Sequence, residues 1–426
     1  MSDWKYEKLS KLCFRIGDGL HGTPEYSESS DVYFINGNNL KNGKIEVTEN
    51  TKKVTSEELS KNFIQLDNNS LLLSINGTLG SMAFFKNEKV MLGKSAAYLN
   101  FKNEINKFYF YYFQLPSVQE HFHNVATGST IKNLSLKSIQ DFEVPVPESN
   151  IWKNISKVLS SLDAKIELNN KINDNLEQMA KTLYDYWFVQ FDFPDANGKP
   201  YKTLGGKTVW NQELKREIPL DWEVKTLLDI ATFSNGLACQ KFRPNENEEF
   251  YKVIKIREMG TGFTENSEFV SLNIPEKVVV YNGDILFSWS ATLDVKIWTG
   301  GTGGLNQHIF KVTSKNYPKS YYYFELLNYL QHFKMMAELR KTTMGHITQD
   351  HLRESRITIP PKRLINELDK VLNPILEKKV KLDIENQELA SLRDWLLPML
   401  MNGQVSVGDF EEELGMVAEA RERYGK

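Results

Sequence analysis

Two stretches of the chain carry apolar side chains at the alternating four- and three-residue spacing of a helical seam. The first sets Ile155, Leu159, Leu162, Ile166, Asn169, Asn173, Leu176, Ala180, Leu183 and Trp187 on one face, eight of the ten apolar. The second sets Ile365, Leu368, Leu372, Ile375, Lys379, Leu382, Asn386, Leu389, Arg393 and Leu396 on one face, seven of the ten apolar. Such a stripe is a coiled-coil seam and must be covered by a partner. Each predicts a helix of roughly 35 residues, about 50 Å long at 1.5 Å per residue. Pro374 lies inside the second and predicts a kink or a restart. The simplest cover for either seam is the other, and a two-fold relation across them makes the helices antiparallel. Asn169 and Asn386 both stand near mid-seam. They read either as a buried pair that fixes register or as solvent-facing residues at the seam edge.

Outside the seams the pattern shortens to strands. Val32–Ile35, Leu71–Ile75, Met82–Phe85 and Ala97–Phe101 are apolar runs separated by Asn36-Gly37-Asn38, Asn42-Gly43 and Asn76-Gly77. Phe108–Phe122 is long enough for a helix, but Pro116 divides it. A short helix follows near Leu134–Gln140. The same order returns as Tyr251–Ile256, Val278–Tyr281, Asp284–Phe287, His308–Val312, a helix over Ser320–Leu339 and a strand at Arg356–Ile359. The chain is written twice, once from Asp3-Trp4 to Tyr186-Trp187-Phe188 and once from Asp221-Trp222 to Trp395-Leu396-Leu397. A period of about 210–220 residues is far too long for a solenoid and means two whole domains. The expected fold is α+β: two mixed α/β heads related by a pseudo-two-fold, separated by two long antiparallel helices forming a coiled coil. The expected divisions are a head over 1–150, a helix over 151–187, a Gly- and Pro-punctuated connector over 188–220, a head over 221–361, a helix over 362–404 and a tail over 405–426.

Composition changes this picture little. The 426 residues are 41% hydrophobic and 25% charged, ordinary for a globular protein. No apolar run reaches the ~18–20 residues needed to cross a bilayer, and the first residues lack the apolar core of a signal peptide. Cys13 and Cys239 fall one in each repeat and read as free thiols of a cytoplasmic protein. The net charge is −3, and the tail from Val405 carries −3 by itself. The body is therefore neutral, and a neutral body can still present a basic face.

Catalytic motifs fail on inspection. Gly93-Lys94-Ser95 and Gly206-Lys207-Thr208 lack the leading glycine of a phosphate loop, with Glu88 and Tyr201 in its place. Pro194-Asp195 with Glu213-Leu214-Lys215 matches the loose text of a metal-dependent nuclease, but in a turn-rich connector rather than on adjacent strands. His121 and His123 are two apart and do not share a helix face. No Asn-Pro-Pro or Asp-Pro-Pro run of a base-flipping amino-methyltransferase is present. The chain reads as a binder and scaffold, with no catalytic residue and no metal site.

Three passages in this order resemble a known family. Gly128-Ser129-Thr130-Ile131-Lys132-Asn133-Leu134-Ser135, then Val144-Pro145-Val146-Pro147 and Leu162-Asp163-Ala164-Lys165-Ile166-Glu167, is similar to the junction between recognition domain and helix in specificity subunits of Type I restriction–modification systems. Leu183 to Phe191, Asn197 to Tyr201 and Ile218 to Trp222 are similar to the family's central crossover. Gly345-His346-Ile347-Thr348 with Ile359-Pro360-Pro361 is similar to the second junction. The resemblance covers residues 1 to about 404. It implies that each head is a target recognition domain reading half of a split site in double-stranded DNA. It also implies that the helices act as a ruler and dock two modification subunits, and that restriction subunits complete the complex. No cofactor is expected on this chain; S-adenosylmethionine, ATP and magnesium are expected on the partner subunits.

Polar loops are the candidates for DNA contact: Asn36, Asn38, Asn39, Ser129, Thr130 and Lys132 in the first head, and Lys255, Arg257, Asn306, Gln307, His308, Thr343 and His346 in the second. Asn and Gln suit adenine edges and Arg suits guanine, while Lys, Ser and Thr more often hold phosphates. For each, the alternative is an ordinary turn residue, and for Gly128-Ser129-Thr130 a helix cap. Trp187 and Trp395 read as core anchors at the helix ends. Two other functions remain open: a two-headed coiled-coil scaffold that touches no DNA, and a nuclease resting on Asp195 and Glu213.

Overall fold

The computed structural model describes residues 4–339, 346–405 and 407. Asp3, Thr343 and nearly all of the acidic tail lie outside the described residues. The chain forms two compact units, one of residues up to Ala164 together with those from Leu389 onward, the other of Lys165–Glu388.

The same elements recur in each unit. Lys5–Lys8 pairs antiparallel with Glu143–Val146, and Glu223–Thr226 pairs the same way with Arg356–Ile359. Each head is thus tied at its neck by the strands through which the chain enters and leaves. A four-stranded antiparallel sheet follows, in the order Cys13–Asp18, Ala96–Phe101, Ser70–Ser74, Met82–Phe84. Its counterpart runs Thr232–Asn235, Ile309–Thr313, Ile285–Ser288, Asp294–Ile297. Ser70–Ser74 and Ile285–Ser288 are buried along their whole length, so they read as apolar runs rather than alternations. A second sheet in each head contains a parallel pair, Val32–Ile35 with Val90–Leu92 and Phe250–Ile254 with Gly303–Leu305.

The aromatic stretch of the first head splits at its proline into Asn106–Tyr112 and Pro116–Val125. Pro116 opens the second piece, where its missing N–H would have had no partner anyway. The second head has no proline inside the corresponding segment, and Lys319–Leu339 is one helix. Phe108, Tyr109, Phe113 and Phe122 fill the first core, and Tyr321, Phe324 and Phe333 the second.

The long helices span Ser149–Tyr184 and Lys362–Met401. The first closes in a wide turn over Asp185–Val189. The second runs through Pro374 without the expected restart. A proline removes one backbone hydrogen bond, and here Leu372 and Leu376, on either side, are buried in the second core. None of the twenty seam positions is exposed, and the cores of the heads share in covering the two seams. In the first unit Trp152, Ile155 and Leu159 pack with Leu397, Leu400 and Met401 into the head's own core. In the second, Ala180, Tyr184, Ile365 and Leu368 enter that head's core. The helices also touch each other through polar pairs. Within Lys165–Glu388 the amide of Asn169 donates to Asn386 Oδ1 (2.9 Å) and that of Asn173 to Asp383 Oδ1 (2.6 Å), while Lys379 pairs with Glu177 (3.6 Å). Partner numbers fall as the first helix rises, so the helices run antiparallel there. Asn169 is fully buried, which selects the buried pair over the seam-edge reading. Trp187 packs half-buried against the second core. Trp395 is not the anchor expected: it is 57% exposed, and Leu397 takes the core position beside it.

The connector is an aromatic knot rather than an open loop. Phe188, Phe191 and Phe193 each meet Trp222, with ring centroids 5.0–5.7 Å apart. Asp195 serves its turn: it accepts from the Asn197 and Lys199 N–H groups (2.7 and 2.9 Å), and these bonds hold its carboxyl below the usual range. Glu213 pairs with Arg356 (2.7 Å). Both carboxylates of the nuclease reading thus have structural work. Cys13 and Cys239 are free and buried, and burial pushes their thiols up, to about 12 and about 11.

Candidate nucleic-acid interface

In each head the candidate loops meet at the ends of the buried strands. Gly93 N–H donates to Ile35 O (2.8 Å), Ile75 N–H to Ser95 O (3.0 Å) and Leu134 N–H to Ile75 O (2.9 Å). The second head repeats this as Asn306 N–H to Ile254 O (3.0 Å), Trp289 N–H to His308 O (3.3 Å) and Ile347 N–H to Trp289 O (2.9 Å). A further loop docks on each cluster through the parallel bridges Leu20↔Gly93 and Leu237↔Asn306. Its closeness demands glycine. A Cβ at Gly19 would lie 2.0 Å from the Leu92 carbonyl oxygen, and one at Gly236 2.2 Å from that of Asn306, well inside contact distance.

The backbone bonds give a residue-by-residue equivalence. Ser74-Ile75-Asn76-Gly77-Thr78-Leu79 corresponds to Ser288-Trp289-Ser290-Ala291-Thr292-Leu293, Gly93-Lys94-Ser95 to Asn306-Gln307-His308, and Asn133-Leu134-Ser135 to His346-Ile347-Thr348. The turn tips share a left-handed backbone, with φ +77° at Gly77 and +57° at Ala291. Asn133 and His346, each in one of the two junctions that the sequence sets in parallel, therefore fall at one place in the repeat.

Several candidates are already engaged inside the protein. Asn36 accepts from the Ser95 hydroxyl (2.9 Å), and its own N–H donates to Asn39 Oδ1 (3.0 Å). Asn39 is nearly buried and its amide donates to Glu46 O (3.0 Å). These two build the turn, and Asn38 stands exposed at its tip. Lys132 reaches back to His123 O (2.7 Å), while Ser129 and Thr130 are exposed. They cap nothing: the helix that follows is capped by Ser135, which accepts from Ser138 N–H (3.0 Å). In the second head Lys255 pairs with Glu268, holding that carboxyl below its usual range. Arg257 pairs with the buried Glu258 (2.6 Å) and donates to Asn266 O (3.1 Å). Each cation is thus engaged inside the head by at least one partner. Asn306 is buried at a strand end. Gln307 and His308 are half-buried neighbours and His346 is exposed. Sequence reasoning missed Trp289, because the search was for polar loops; the Ser-Ile-Asn-Gly-Thr-Leu and Ser-Trp-Ser-Ala-Thr-Leu repeat was the available signal.

Polar tips stand on buried strands, and among the described residues no group of three His, Cys, Asp or Glu is placed to hold a metal. No described helix is long and apolar enough to cross a membrane.

Comparison with known proteins bears on the same two regions. Residues 1–178 and 219–393 each match the family described as Type I restriction modification DNA specificity domain. The chain is 24% identical over 423 residues to the Type I restriction enzyme MjaIX specificity subunit of Methanocaldococcus jannaschii, covering 95% of this chain and 94% of that one. It is 24% identical to the Type I restriction enzyme HindI specificity subunit of Haemophilus influenzae, covering 95% of this chain and all of the other. Its fold is similar to the crystal structure of a Type I restriction–modification S subunit from M. genitalium, with a TM-score of 0.58 at 15% identity over 93% of this chain and 96% of that one.

Proposed function

The chain belongs to the Type I restriction–modification DNA specificity family, and on that premise we propose that it is the sequence-reading subunit of such a complex. Each head reads one half of a bipartite site in duplex DNA through its loop cluster. The helix pair sets the distance between the halves and docks two modification subunits, with restriction subunits joining them. The chain does no bond-making itself; S-adenosylmethionine, ATP and magnesium belong to the partners. Asn38, Ser129 and Thr130 in the first head and Gln307, His308 and His346 in the second are the candidates for direct DNA contact. Asn36, Asn39, Lys255, Arg257 and Asn306 shape the loops that carry them. Lys132 and Thr343 are proposed as flanking contacts.

One observation carries this reading: two different sets of polar tips stand on one and the same backbone cluster, repeated in two heads. A repeated scaffold with changed tips is what reading two different half-sites requires, since phosphate contacts position a protein while base contacts specify. The test is to map methylated adenines genome-wide with the locus intact and with it deleted. The expected result is loss of one split motif with a fixed gap. Loss of no motif, together with no salt-dependent duplex binding by the chain and its modification subunits, overturns the reading in favour of a scaffold without DNA.

A further inference from the structure

We propose that Trp289, flanked by His308 and His346, forms with Gln307 a purine-edge site that determines specificity in the second half-site and that the first head lacks. This rests on the DNA-reading function above. Trp289, His308 and His346 stand where the first head has Ile75, Ser95 and Asn133. The indole centroid lies 5.5 Å from the His308 ring and 5.7 Å from the His346 ring, and its Nε1–H donates to Asn235 Oδ1 (3.1 Å). Ile75 shows that packing at this position is met by an aliphatic side chain, buried to 3% exposure. Trp289 is instead only half-buried, so its ring offers a surface that core packing does not use.

His308 adds a second, independent observation. The Gln307 amide donates to its Nε2 (3.2 Å), which leaves the proton of a neutral imidazole on Nδ1. That nitrogen is buried without a hydrogen-bond partner. Ser95, its counterpart, is satisfied twice over: it accepts from Gly37 N–H (2.9 Å) and donates to Asn36 (2.9 Å). The second head therefore holds an unsatisfied polar atom where the first has closed its network, and such atoms in folded proteins call for a reason. The adjoining turn is also under strain. Ala291 holds φ +57° at an exposed tip where the first head uses glycine, and strain of this kind concentrates at ligand sites. Ring faces and an amide make up the array, a chemistry that suits a base edge. The Gln307 amide fits adenine N6 and N7.

The experiment uses the full-length chain assembled with its modification subunits. Duplexes carry the mapped site with every single-base substitution in each half, and adenine methylation is the readout. The variant Trp289→Ile/His308→Ser/His346→Asn installs residues that the first head already accommodates. Discrimination at a purine position of the second half-site should fall about tenfold or more, the loss of one base-edge pairing, with the first half-site read as before. Gln307→Ala, at a half-buried position, should relax the same position alone. Unchanged discrimination in the second half, or an equal loss in both halves, overturns the proposal. If the unmodified complex binds no duplex at all, it is the DNA-reading function that fails instead.

Discussion

Asn36, Asn38 and Asn39 carry one side chain within four residues, and only position separates their work. Two of the amides close a turn and the third projects from it; residue type announced the loop but not this division, which depends on Ser95, 59 residues from Asn36. The same limit hid Ala291. Its left-handed backbone costs a Cβ-bearing residue roughly 1–2 kcal/mol, part of which glycine returns through its freer unfolded state. Ala291→Gly should therefore raise unfolding stability, by up to about 1 kcal/mol in a urea titration; a loss would mean that the turn is not strained. The opposite change at a glycine is harsher. Gly19→Ala places a methyl against the Leu92 carbonyl, so exchange protection of the loop around Leu20 should collapse. Glu325 gives a pH signature. It is buried, accepts from the Tyr184 hydroxyl (2.6 Å), and burial raises its carboxyl to about 7 against the opposing pull of that bond. A carboxyl raised on folding binds its proton more tightly in the folded state, so the contribution of Glu325 to stability is fully present below the unfolded value of 4.5 and is lost as pH climbs toward 7. The loss is on the order of 3 kcal/mol. Glu325→Gln should flatten the melting temperature across pH 4.5–7; an unaltered slope would assign it to other groups.

At the scale of elements, local pattern was a good guide wherever the cause is local. Arg356–Ile359 is a strand at the residues expected, and Pro116 divides its helix because a ring without an N–H is costly mid-helix but can start one. Pro374 shows the reverse, since burial of Leu372 and Leu376 keeps the second long helix whole. Which strands adjoin was not legible, because Val32–Ile35 finds its parallel neighbour more than fifty residues on. The seams were legible as stripes with an asparagine near the middle of each, but not that their outer thirds belong to the heads. That middle makes a prediction. Asn169 gives its amide to Asn386 and Glu385 (2.9 and 3.0 Å), while its buried Oδ1 has no partner. An orphaned buried acceptor costs about 1–3 kcal/mol. Asn169→Leu should thus raise the melting temperature by a few degrees, while methylation becomes tolerant of altered spacers as register loosens. A simple loss of stability would show that the amide contributes more through its two donated bonds than its unpaired oxygen costs.

For the molecule as a whole, the repeat was the legible fact and pointed to the family before any coordinate. His308 and His346 stood among the polar candidates, but Trp289 did not, because one backbone cluster supports Ile75, Ser95 and Asn133 in one head and Trp289, His308 and His346 in the other. If the helices measure the gap between half-sites, inserting or deleting one turn in both should change the tolerated spacer and leave the two half-site sequences alone. Methylation of duplexes with graded spacers would show it, and altered half-sites would break the assignment of roles. The neck of each head reaches further. Lys5 lies opposite Val146, and Glu223 opposite Ile359, so well over a hundred residues depart from and return to a single rung of backbone. A cassette whose two cut ends are neighbours can be exchanged for another of like ends without resetting what lies beneath. A lineage could acquire a new vocabulary one word at a time, keeping the grammar.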